Sequence, residues 1–83
     1  MEIKSKIGQR IKELREIKQM SQKDLAYSTD LDRSYIASVE KGQRNISIVN
    51  IEKIALALGI TLKEFFKTTY FENTTTDKNG YTE

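Results

Sequence analysis

Arg33, Ser34, Ala37, Ser38 and Lys41 recur at the spacing of one face of a short helix, a face with two cations, two hydroxyls and no acid. Such groups donate hydrogen bonds and positive charge. The guanidinium fork of Arg33 matches guanine O6 and N7, and Ser34 beside it can contact any base or a phosphate. A small, polar and cationic helix face of this kind fits a DNA major groove. The alternative is a solvated face in an ordinary helical bundle.

Other chemistries have little to work with. The chain of 83 residues contains no cysteine and no histidine, so it cannot build the usual zinc site, a Cys-His pair or a Ser-His-Asp triad. The gaps between Gly8, Gly42, Gly59 and Gly80 exclude a glycine-rich phosphate loop. Asp30 with Asp32, or Glu13 with Glu16, could do acid-base work in principle. Their places at helix caps and on a solvated helix face point to structural duty. We expect no enzyme activity, no cofactor, no metal and no small-molecule ligand. No apolar run approaches the roughly 20 residues that cross a bilayer. The amino terminus, MEIKSKIGQR, begins charged and turns amphipathic, unlike a signal peptide, so the expected location is the cytoplasm.

The cationic face needs elements to hold it. QKDLAYSTDLDRSYIASV, residues 22–39, reads as two short helices joined by a tight turn. Leu25, Ala26, Leu31, Ile36 and Val39 are the inward positions that let such helices cross steeply and pack on a third. Upstream, Ile7, Ile11 and Leu14 make one apolar stripe and predict a first helix from residue 5 or 6 to about 18. Gly8 within it is a poor helix former, explained at this level only by close packing. Ser21 with Asp24 resembles a capping box and starts helix two, residues 22–29. Asp32 is placed to cap helix three, residues 33–41, and Gly42 to end it. Ser47 caps helix four, residues 48–58, whose buried stripe is Ile51, Ile54, Ala55 and Leu58. Thr61 with Glu64 starts a short fifth helix reaching about residue 67.

The expected fold is therefore all-α: one compact five-helix domain over residues 1–70, followed by an acidic tail over 71–83. The tail is rich in Thr, Asn and Asp, without helical or strand period, and is expected to be disordered. Charge divides in the same place. Residues 1–67 hold 13 Lys and Arg against nine acids, whereas residues 68–83 carry net −2. A mildly basic folded part suits phosphate contacts, which need local cations rather than a large total. A domain this small has a marginal core and often gains stability by dimerising. Leu62, Phe65 and Phe66 are the candidate dimer contacts, since a small bundle can hide one phenylalanine and offer the other to a partner.

With helix order and motif in place, the chain resembles the Cro/repressor family of helix-turn-helix proteins, whose fold is that of the lambda repressor's DNA-binding domain. IGQRIKELRE, MSQKDLA, YIASVEKGQRN and IEKIALALGI carry the likeness, which spans about Ile7 to Phe66. Within the family, LDRSYIASVEKGQRNISI is most similar to the controller proteins of bacterial restriction–modification systems. Those are small homodimeric regulators that bind paired operator sites and control their own and the endonuclease's transcription.

The resemblance implies roles by position. Arg33 and Ser34 should reach base edges, with Ser38 one turn further along. Gln22 opens helix two where the helix amino terminus meets a phosphate. Arg44 and Asn45 match positions that touch the DNA backbone, and Ser21 and Lys41 are expected to touch it as well. Arg15 and Glu40 match a structural ion pair between helices one and three. Two positions depart from the pattern: Asp30 stands where glycine is frequent, and Ile46 where proline is common. Asp30 tolerates a left-handed backbone better than most residues. The implied partners are a double-stranded DNA operator, a second copy of the chain and, at a promoter, RNA polymerase. A phage or mobile-element repressor and an antitoxin are the alternatives within DNA binding. A protein–protein adaptor that keeps the fold is a more distant one.

Overall fold

A computed structural model describes residues 2–72. Among them there is no strand; five α-helices run in order, α1 Ile3–Ile17, α2 Gln22–Thr29, α3 Arg33–Glu40, α4 Ile48–Ala57 and α5 Leu62–Phe65, followed by a 3₁₀ turn, Thr69–Phe71. Residues 73–83, most of the expected disordered tail, lie outside the described residues.

Local chemistry sets most boundaries. The Ser21 hydroxyl accepts from the Asp24 amide while the Asp24 carboxylate accepts from the Ser21 amide, a reciprocal cap for α2. Thr61 and Glu64 repeat this arrangement on α5, and Ser47 accepts from the Asn50 amide on α4. Three expectations are corrected. α1 starts at Ile3 rather than residue 5 or 6, because the Glu2 carboxylate accepts from the Lys4 amide and serves as its cap. Asp32 occupies the cap position of α3, but its side chain makes no capping bond. α5 ends at Phe65, two residues short of the expected end.

That short helix cannot stand alone; an arginine on α1 holds it. Arg10 Nε donates to the Phe65 carbonyl at 2.7 Å and Nη2 to the Glu64 carbonyl at 2.8 Å. The first bond satisfies a carbonyl that the helix end leaves without a backbone donor, while the Glu64 carbonyl accepts from the Lys67 amide as well.

The core joins Ile7, Ile11 and Leu14 of α1 to Leu25 and Ala26 of α2, Ile36 and Val39 of α3, the expected stripe of α4, and Phe65. Phe65 is 0 % exposed, which removes it from the expected dimer contacts: its ring already fills the chain's own core. Phe66 stays half-buried and meets Phe71 edge to face at 5.0 Å. Phe71, placed in the tail by its surrounding composition, is packed against the core instead. Tyr70 beside it donates its hydroxyl to the Glu13 carboxylate on α1.

Gly8 now has a physical reason. A Cβ there would fall on the Val39 and Glu40 backbone carbonyls of α3, so α1 and α3 touch backbone to backbone. Gly8→Ala is expected to cost about 1–2 kcal/mol. The added carbon would lie 2.3 Å from backbone, so the overpacking cost falls in the upper part of its usual range of about 1–3 kcal/mol, offset by a helix-propensity gain of roughly 1 kcal/mol. Thermal melts followed by circular dichroism test this; an unchanged or raised midpoint would mean that the helices separate freely.

Candidate nucleic-acid interface

The turn between α2 and α3 depends on Asp30, whose φ of 61° and ψ of 30° lie in the left-handed region. Asp tolerates that region because its short side chain can bond locally. Leu31 follows, half-buried against the core, and α3 begins at Arg33. Arg33 and Ser34 are both exposed there, and Lys41, Arg44 and Asn45 are exposed in the segment after α3. The predicted donors thus stand along α3 and the loop that leaves it.

Ser38 is half-buried, and its hydroxyl hydrogen is shared between the Ser34 carbonyl at 3.0 Å and the Tyr35 carbonyl at 3.1 Å. With that hydrogen engaged, Ser38 has lone pairs to offer, so it is suited to accept from a cytosine or adenine amino group.

Behind this face lies a polar network. Arg15 Nε and Nη2 bind the two carboxylate oxygens of Glu40 at 2.7 and 2.9 Å, and Nη1 donates to the Met20 carbonyl at 2.8 Å. The side chains of Arg15 and Glu40 are 11 % and 4 % exposed. Glu40, chiefly by hydrogen bonding, pushes the Arg15 guanidinium still further above its ordinary pKa. Gln22 Nε2 donates to the same Glu40 carboxylate at 3.1 Å. One carboxylate therefore ties together the end of α1, the turn after it, the start of α2 and the end of α3.

At the start of α2 the exposed Asp24 carboxyl is held below the usual range, first by the bond from the Ser21 amide. Ser21, already an acceptor in this cap, keeps its own hydroxyl hydrogen to donate.

Sequence reasoning passed over Tyr35. Its ring lies 5.0 Å beneath the Arg44 guanidinium, and its hydroxyl accepts from Asn50 Nδ2 at 3.1 Å. Nothing in the spacing marks it, since the three residues meet only when the loop folds back over α3. Among the described residues no cluster of acids forms a metal site, and no helix is long and apolar enough to cross a membrane.

A helix-turn-helix domain model matches residues 8–70. The control protein C.MunI of a Mycoplasma species is 50 % identical over 66 residues, covering 78 % of this chain and 89 % of that one. The chain belongs to the helix-turn-helix controller proteins. The structure of the restriction–modification controller C.AhdI from Aeromonas hydrophila shares the fold with a TM-score of 0.73 and 54 % identity, covering 76 % of this chain and 96 % of that one. The controller C.Esp1396I, solved as a tetramer on its natural 35-base-pair operator, gives 0.74 and 41 %, covering 77 % and 84 %. The match thus extends over nearly the whole length of other controllers, including one seen on its operator.

Proposed function

We propose that this controller is a homodimeric, sequence-specific DNA-binding regulator of a restriction–modification system, a binding protein and not a catalyst. The observation that carries this reading is the exposed cationic face of α3 and its loop, set on a rigid helix-turn-helix. Arg33 and Ser34 read base edges in the major groove, and Ser38 accepts from a base amino group. Ser21, Gln22, Lys41, Arg44 and Asn45 hold the DNA backbone. Contacts of the latter kind set register but carry no sequence information directly.

The second copy docks on α4 and α5. Ile48, Val49 and Leu56 are 62 %, 59 % and 70 % exposed, and their spacing puts them on one outer face of α4. Half-buried Leu62 on α5 and Phe66 just beyond its end follow. An isologous contact there would set two recognition helices about 34 Å apart, matching half-sites one DNA turn apart. The regulator works in the cytoplasm, beside the polymerase whose promoter it occupies, and the position of the operator decides activation or repression.

Sedimentation of the free protein, together with selection from a randomised duplex pool, tests the reading. The expected results are a dimer at tens of micromolar and a selected near-palindrome with half-sites about 10 base pairs apart. A monomer both free and on DNA would refute the dimer; a pool that never converges would refute sequence recognition.

A further inference from the structure

We propose that Arg10 is a positioning residue for self-association and sets the half-site spacing that the dimer accepts, a role that rests on the dimeric DNA-binding reading above. Helix α5 is four residues long, too short to hold its own orientation. It follows α4 through Gly59, at φ 76°, and buries only Phe65 fully in the core. Leu62 and Phe66, the part of the docking face beyond α4, therefore depend on what holds α5 from outside. Arg10 does so. Its guanidinium donates to the Phe65 and Glu64 carbonyls together, and a planar fork on two successive carbonyls fixes both the place and the rotation of that turn. The Arg10 side chain is only 14 % exposed, which shields these bonds from water.

The fork is itself held. Arg10 Nη1 lies 3.7 Å from Glu13 Oε1 in an ion pair along α1, and Glu13 accepts from the Tyr70 hydroxyl beyond α5. The same stretch of α1 also carries the recognition helix. Gly8, two residues before Arg10, leaves no room for a side chain against the Val39 and Glu40 carbonyls of α3. At 3.6 residues per turn, Gly8 and Arg10 flank the apolar stripe of Ile7 and Ile11 on opposite sides. Helix α1 thus rests on α3 along one flank and grips α5 from the other. In a two-fold dimer the path from α3 to the docking face sets the separation of the two recognition helices, and Arg10 is the polar link in that path.

Sedimentation and operator titration of the full chain test this. Arg10→Met keeps an unbranched apolar stem and removes the fork. It should raise the dimer dissociation constant roughly tenfold, about what one charge-assisted hydrogen bond carries. The DNA probes are duplexes bearing selected half-sites at the preferred separation, one base pair closer and one base pair further, each step moving a half-site about 3.4 Å. Wild type should favour the first duplex over the other two, and Arg10→Met should flatten that preference. A residue that only stabilised the fold would lower the active fraction on every duplex alike and leave the preference unchanged. Arg10→Lys, which restores a cation without the fork, should shift both readouts in the same direction by less, and it carries the comparison if the Met variant does not fold. An unchanged dissociation constant, or an unchanged spacing preference, in a folded variant would overturn the role of Arg10 alone. A wild-type protein indifferent to spacing would overturn the dimeric reading and this proposal with it.

Discussion

Glu40→Ala is expected to lower folding stability by about 3–5 kcal/mol, the cost of leaving one member of a buried ion pair without its partner. The magnitude follows from geometry. The Arg15 guanidinium is nearly enclosed and donates twice to this carboxylate, keeping only the Met20 carbonyl when Glu40 is removed. Gln22 loses its tether in the same step. Native proteins are stable by about 5–15 kcal/mol, so the variant should lose a large part of its stability. Urea unfolding of the two proteins measures the difference, and overlapping curves would mean that the pair contributes nothing. Exchanging both residues for apolar side chains of similar volume should recover much of the loss, because no orphaned charge then remains.

Arg33→Ala is expected to reduce affinity for a selected operator by roughly ten- to a hundredfold, since a bidentate guanine contact carries about 1–3 kcal/mol of discrimination. Its affinity for scrambled DNA should change little. Arg33 is exposed on the first turn of α3, takes part in neither of the ion pairs above, and so is free to enter a groove. Arg44→Ala should behave differently, weakening all sequences alike and reducing the salt slope by about 1. Equal losses on both duplexes for Arg33→Ala would reassign that residue to the backbone.

How much of this was legible beforehand depends on how local the cause is. The caps at Ser21, Ser47 and Thr61 lie within three residues of the amides they bind, and the pattern alone places them. The recognition-helix start at Arg33 and the Arg15–Glu40 pair were likewise available, the first from Asp32 in the cap position, although its side chain makes no capping bond, and the second from the family resemblance. Long-range causes were hidden. The Arg10 guanidinium caps a helix 54 and 55 residues away, and in sequence it is one more surface cation. Composition assigned Phe71 to a polar tail, yet its ring finds Phe66 at 5.0 Å and Phe65 at 6.5 Å. The choice between Phe65 and Phe66 was equally obscure, because Gly59 breaks the helical phase that would have said which faces inward. Gly8 and Tyr35 act on backbone and side chains brought near only by tertiary packing.

The central claim is that this chain reads DNA sequence through α3. It is tested most directly by titrating the wild-type protein against a selected duplex and its scrambled counterpart across a range of salt concentrations. The account predicts that both affinities fall linearly on a log–log plot against salt, as phosphate contacts require. It also predicts that the selected duplex binds at least about 10³-fold more tightly than the scramble at physiological salt. Indistinguishable affinities for the two duplexes at every salt concentration would contradict it.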